Sequence, residues 1–167
     1  MKGGYSGKLY RALNPVYART PLSGEGARRY GGRFNPRGVA ALYCSLSIMT
    51  AIREANQVGS LQPTTLVSYD AAIETVFDST DANALQAEGY EQTLLSAGSW
   101  RDEMEAKGEA RTQAFARALI GKGYQGLLVR SFAPGASEND INLVLWAWGE
   151  TPPARLTLID DESRLSR

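Results

Sequence analysis

Apolar positions in this chain recur in short runs separated by polar, glycine-rich interruptions. Residues 8–13 alternate as a short strand does, stopped by Asn14-Pro15. Residues 19–38 are dense in glycine and proline and predict irregular chain, and the apolar run 39–44 then has strand length. Ser47 suits the N-cap of a helix that runs to about Gln57 and is closed by Gly59. Within it Ile48, Ala51, Ile52 and Ala55 share the helical spacing of a buried stripe. Glu54 falls about 100° from the centre of that stripe, on the line of Ser47 and Thr50, where a cleft can reach it.

Further on, residues 64–69 and 75–77 predict strands, 81–88 a helix, and 91–108 a mixed polar stretch with no assignment. Residues 109–120 predict a helix with Ala114, Phe115, Ala118 and Leu119 on one side, closed by Gly121 or Gly123. Residues 125–132, 140–148 and 155–159 predict strands. The strands bracket the helices instead of alternating with them, so the expected class is α+β. With 167 residues, no repeats and no linker, the expectation is a single domain over 1–167.

Composition narrows the chemistry. There is no histidine and a single cysteine, Cys44. Ser-His-Asp hydrolysis, Cys-His proteolysis, HExxH metal sites and thiolate clusters all lack their residues, so no metal is expected. Catalysis must rest on carboxylate, Arg, Lys, Tyr, Ser or Thr. The lone cysteine, the lack of an apolar secretory segment in MKGGYSGKLY and the lack of a membrane-length apolar run predict a soluble cytoplasmic protein that binds no membrane.

Net charge is zero, yet residues 1–60 carry nine Lys/Arg against Glu25 and Glu54, while 61–167 carry nine against sixteen acids. Local arginine in an otherwise acidic chain fits a compact anion such as a nucleotide better than a nucleic acid. Interleaving of the two halves in space, with their fields cancelling, is the other reading.

The densest block is LSGEGARRYGGRFNPRGVAALYCSLSIMTAIRE, Leu22 to Glu54. Arg33 follows two glycines that let backbone approach a ligand, and it offers a planar fork for phosphate; it can equally be a loop cation paired to a surface acid. Glu54, the only acid between Glu25 and Asp70, can stabilise an electron-poor centre or can pair with Arg53 on a solvated face. Tyr43 can stack on a planar ring or pack in the sheet, and Arg11 is an unusual cation inside a strand. Ser131 and Asn142 flank a turn between predicted strands and can serve either a ligand or the turn itself. No P-loop and no GxGxxG fingerprint is present.

In order, Leu9-Tyr10-Arg11, the LSGEGARRYGGRFNPRG block, ALYCS, the AIREA helix with Glu54, Ser131 and the NLVLW run from Asn142 resemble the RES-domain family, the toxin half of RES–Xre type II toxin–antitoxin systems. The resemblance runs from about residue 8 to Trp148, with nothing matched in 78–108. It implies a diphtheria-toxin-like ADP-ribosyltransferase fold, with small β-sheets forming a cleft for NAD+ as substrate. Arg33, Tyr43 and Glu54 stand at the family's catalytic positions, and Arg11, Tyr30, Ser131 and Asn142 join the residues expected to contact NAD+. The implied reaction cleaves the nicotinamide–ribose bond and transfers ADP-ribose to a protein acceptor; hydrolysis or phosphorolysis of NAD+ is the alternative. A non-catalytic interaction module, with Arg33 simply paired to Glu54, is the third. The implied partner is an Xre-like antitoxin that covers the active site and leaves DNA binding to itself.

Overall fold

Side-chain alternation along six strands sends one set of residues to each face of a single sheet. The computed structural model describes residues 3–57 and 60–166, so the expected stop at Gly59 lies outside the described residues. Strands β1 (Gly3–Leu13), β2 (Leu42–Ser45), β3 (Thr65–Asp78), β4 (Gly126–Arg130), β5 (Ile141–Leu145) and β6 (Ala154–Leu158) stand in the order β1-β2-β5-β4-β3-β6. β1 also pairs with β3, so hydrogen-bonded neighbours lead from β1 through β2, β5, β4 and β3 back to β1. The join is uneven. β1 and β3 pair in one register from Leu13↔Thr65 to Tyr5↔Ile73 and slip by one residue to Gly3↔Val76, whereas β1 and β2 meet only at Tyr10↔Ser45.

The α+β class holds, but the strands form one six-stranded sheet and not separate small ones. The reason is β3, which takes β1 and β6 along Tyr69–Ile73 and then continues to pair with β4 through Val76↔Gly126. In sequence Asp70 and Glu74 look like interruptions between two strands, yet Val67, Tyr69, Ala71 and Ile73 alternate inward past Asp70 and leave Glu74 exposed in one continuous strand. β1 starts earlier than expected as well. Its Gly4 lets backbones approach closely, since a Cβ there would lie 2.5 Å from the Ile73 carbonyl oxygen.

Helices α1 (Glu25–Tyr30) and α2 (Ile48–Ala55) flank β2, and α3 (Ala82–Ala87), α4 (Gln92–Leu95), α5 (Trp100–Lys107) and α6 (Arg111–Gly121) form the crossover from β3 to its parallel neighbour β4. The unassigned stretch 91–108 is therefore two short helices, α5 ending at Gly108 in the left-handed region. In β5, Leu143 and Leu145 face a cluster with Leu42, Tyr69 and Ile73, while Val144 faces the helices with Phe115, Leu119 and Leu127. α6 buries Thr112, Gln113, Phe115, Ala116 and Leu119, and the expected core residue Ala118 is exposed. No helix among the described residues is long and apolar enough to cross a membrane.

Phe115 is fully buried, with its ring edge-on to Tyr90 at 4.6 Å and to Phe77 at 6.1 Å between centroids. Phe115→Ala is expected to lower stability by about 3–5 kcal/mol, read as a fall in the urea midpoint without a change in slope.

Candidate functional site

The site begins in the register of β2 against β5. Tyr43 stands opposite Val144 and Ser45 opposite Asn142, so all four share the face that looks toward the helices. That face is apolar at Val144 and becomes polar at Ser45 and Asn142. Helix α2 crosses its polar end. Ser47 caps α2 by accepting the Thr50 amide at 3.1 Å, as its sequence position predicts.

α2 is turned differently from the apolar-stripe expectation. Ile48 and Ala55 are exposed, while Thr50 and Ala51 are buried. The cause is Asp140, at the foot of β5. Its Oδ1 accepts the Thr50 hydroxyl at 2.6 Å and Arg53 Nη1 at 2.7 Å, and its Oδ2 accepts the Ser137 amide at 2.8 Å. The Thr50 and Ser137 hydrogen bonds, with Arg53 beside them, hold the Asp140 carboxyl down at about 2. Thr50 and Glu54 thus turn toward the sheet beside Ala51, and the ends of the expected stripe, Ile48 and Ala55, turn out.

Glu54 lands on neutral donors. Its Oε1 accepts Asn142 Nδ2 at 2.7 Å and the Ser131 hydroxyl in a very short contact, and its Oε2 accepts Gln57 Nε2 at 2.6 Å. Asn142 Oδ1 in turn accepts the Ser45 hydroxyl at 2.7 Å, which agrees with the amide nitrogen facing the carboxylate. Arg53 is committed to Asp140, and among the described residues Glu54 forms no ion pair. Glu54 therefore brings a fixed, unneutralised negative charge to the cleft.

Arg33 sits on a tight turn in which Gly32 and Asn35 exchange backbone hydrogen bonds at 3.0 and 3.3 Å. The buried Asn35 amide group anchors the turn, donating to the Ala27 and Val39 carbonyls at 2.8 and 2.9 Å and accepting the Tyr43 hydroxyl at 2.5 Å. From α6 the buried Gln113 donates to the Gly32 and Asn35 carbonyls at 3.0 and 3.2 Å. Arg33 Nη1 donates to the carbonyls of Leu95 and Ala97 at 3.1 and 2.8 Å, and its guanidinium lies 5.2 Å from the Phe132 ring centroid. Burial pushes the Arg33 pKa down, with the Glu54 charge acting in the opposite sense. The Arg33–Glu54 pair of the interaction-module reading is not formed; Arg33 is held by carbonyls instead.

Burial pushes the Tyr43 phenol well above its ordinary value, and its hydroxyl is taken by Asn35 and by the Phe34 amide at 3.1 Å. Tyr43 thus offers a ring to the cleft and not a titrating group near neutrality. Arg11 donates to the Pro21 carbonyl at 2.9 Å.

Three cavities meet at Tyr43. One of about 310 Å³ is bordered by Arg11, Ser45, Glu54 and Asn142, and one of about 300 Å³ by Arg33, Glu54, Trp100, Arg101 and Phe132. Glu54, Tyr43 and Asn142 form the wall between them. Tyr30 is 71% exposed and lines a third, outer cavity of about 640 Å³ with Arg11, away from Glu54 and Arg33. Of the residues singled out by sequence, Glu54, Ser131 and Asn142 touch directly, Arg33, Tyr43 and Arg11 surround the same cleft, and Tyr30 stands apart. Ser131 and Asn142 direct their polar groups at Glu54, as its supports.

Sequence reasoning missed Asn35, Gln57, Trp100, Arg101 and Gln113. Gln113 carried a signal, a polar residue beside the apolar positions of α6, and so did the adjacent Trp100-Arg101 pair. The others look like ordinary loop or helix-end residues.

Two outcomes follow from this geometry. A Cβ on Gly32 would lie 2.4 Å from the Tyr43 hydroxyl oxygen and 2.6 Å from Asn35 Oδ1. Gly32→Ala is expected to cost about 1–3 kcal/mol and to displace the Tyr43 ring, measured by thermal unfolding and a crystal structure of the variant. Because the folded Asp140 value, about 2, lies below its ordinary 3.8, the contribution of this group is complete above about pH 4 and is lost as pH falls toward 2. Asp140→Asn is expected to make the acid limb of stability shallower over that window, read from unfolding midpoints against pH.

Comparison with known proteins agrees with this architecture. A chain of the crystal structure of the M. tuberculosis MbcT–MbcA toxin–antitoxin complex superposes with a TM-score of 0.68 at 27% identity, covering 95% of this chain and 84% of that one. No curated protein matches the sequence. The RES-domain family profile matches residues 8–166, nearly the whole chain and all the site residues described above. The chain belongs to the RES-domain family.

Proposed function

We propose that this chain is the toxin of a toxin–antitoxin pair and that it cleaves the nicotinamide–ribose bond of NAD+, transferring ADP-ribose to a protein. The observation that carries the reading is the Glu54 carboxylate, held by Ser131, Asn142 and Gln57 on the wall between two cavities and left without a counter-ion among the described residues. When the bond to nicotinamide breaks, its electron pair leaves with the ring, which departs neutral, and positive charge develops on the ribose. A fixed carboxylate stabilises that charge far better than mobile water does. The acceptor nucleophile then bonds to the ribose carbon and gives up its proton. Nicotinamide is already cationic before cleavage, so a site without histidine suffices. Arg33 and Arg11 are suited to the diphosphate and to orienting the ribose, and the Tyr43 ring to packing on a planar group.

The ADP-ribosyltransferase-like fold belongs to the same proposal; a sheet whose pairings return from β3 to β1 beside a cleft supports it. An antitoxin partner is supported by the toxin–antitoxin complex in which the structural neighbour was solved. We take this partner to be Xre-like, covering the cleft with an acidic group near the arginines. Phosphorolysis or hydrolysis of NAD+ is the second reading. It is favoured by Arg33, Arg101 and Arg130 bordering one cavity with Glu54, a setting that also suits phosphate as acceptor.

Glu54→Gln keeps the size of the side chain and removes its charge. It is expected to stay folded and to lose nicotinamide release by about a hundredfold or more. With NAD+ labelled on the adenylate half, label captured on protein supports transfer, while free or phosphorylated ADP-ribose supports the second reading. No nicotinamide release by wild-type protein under any condition overturns both.

A further inference from the structure

The cavity of about 300 Å³ beside Glu54 carries more positive charge than Glu54 balances. Arg33, Arg101 and Arg130 border it and Glu54 is the one acid on its wall, a surplus of two positive charges. Among the described residues neither Arg101 nor Arg130 forms an ion pair, and both are exposed. Like charges drawn to one concavity repel unless an anion shares it.

Two of these cations stand on aromatic rings. The Arg33 guanidinium lies 5.2 Å from the centroid of Phe132, and the Arg101 guanidinium 4.6 Å from that of Trp100. They are also mechanically linked. Arg33 holds the carbonyls of Leu95 and Ala97, which lead directly into α5, and Arg101 is the second residue of that helix. Arg33 uses Nη1 for this, and among the described residues its Nε and Nη2 make no hydrogen bond. The proximity of Arg101 adds to the lowering of the Arg33 pKa. Trp100 is buried and fixes the platform on which Arg101 rests.

We infer that Arg33 and Arg101 form the fixed and the exposed half of a grip for a diphosphate, seated on Phe132 and Trp100. The two negative charges of a diphosphate match the surplus on the wall, and planar guanidinium forks suit its oxygens. The assignment rests on the NAD+ reading for which diphosphate is bound, and it gives residues 95–101, which matched no motif, a role in binding.

Arg101→Ala tests it, since the side chain is exposed and its loss leaves the core intact. Calorimetric titration with NAD+ and with ADP-ribose is expected to show affinity falling about tenfold. Nicotinamide riboside, which lacks phosphate, binds the variant and wild type alike. Arg101→Lys recovers only part of the loss, because a point charge lacks the fork. For nicotinamide release, KM rises by a similar factor and kcat stays within about twofold. Unchanged affinity of Arg101→Ala for both diphosphates overturns the grip, even if the wild type cleaves NAD+. Weakened ADP-ribose binding with no nicotinamide release by the wild type keeps the grip and removes the cleavage reading. A wild type that binds neither diphosphate overturns the grip outright.

Discussion

The bonds that join α2 to the foot of β5, from Thr50 and Arg53 onto the Asp140 carboxylate, decide the electrostatics of the whole cleft. They turn the Thr50 and Glu54 side of α2 toward the sheet, and they occupy the one cation adjacent to Glu54 in sequence. Were Arg53 paired with Glu54, the wall between the two cavities would lose its one uncompensated carboxylate. With Asp140 taking Arg53, Glu54 keeps its charge and is oriented by Asn142, Ser131 and Gln57, none of which carries one. One carboxylate serves as anchor and the other is left to the cleft, and the division is set by which of them the arginine reaches.

The opposite wall is built on a buried polar network. Asn35 and Gln113 are fully buried, and each meets several partners on the Gly31–Asn35 turn or around it. Buried amides are costly unless every group is bonded, so a satisfied network admits few alternative arrangements of the turn. This is what places Arg33 in the cleft. Gly32 completes the fit, because any side chain there would occupy the position of the Tyr43 hydroxyl.

Periodicity alone recovers the mixed fold class, the Ser47 cap, the helix at α6 and the strands around Tyr43 and Asn142. It fails where a polar contact outweighs the apolar pattern. Nothing local to α2 predicts that Thr50 would be buried in preference to Ile48, because Asp140 lies 90 residues away from it. Likewise the alternation of Val67 to Ile73 continues past Asp70 and Glu74, and only pairing on both edges of β3 makes that evident. Arg33, Tyr43 and Glu54 stand out in one dense block, and the structure gathers them around one cleft. Ser131 and Asn142 look like turn residues in sequence and are found supporting Glu54 instead. Trp100 and Arg101 stand next to each other as a visible aromatic–cation pair, but their stretch has no clear period to place them, because two short helices joined by a loop leave none.

The supports of Glu54 come late in the chain: Ser131 lies 77 residues beyond it and Asn142 lies 88 residues beyond it. During synthesis the carboxylate emerges early and has nothing to hold it until β4 and β5 have followed. Contacts this distant also close slowly, because the intervening loop must be ordered first. A product truncated before β5 carries Arg33, Tyr43 and Glu54 yet lacks the frame that aims them. The assembled cleft therefore arrives only once β4 and β5 have been made, leaving an interval after Glu54 is synthesised in which it has no frame.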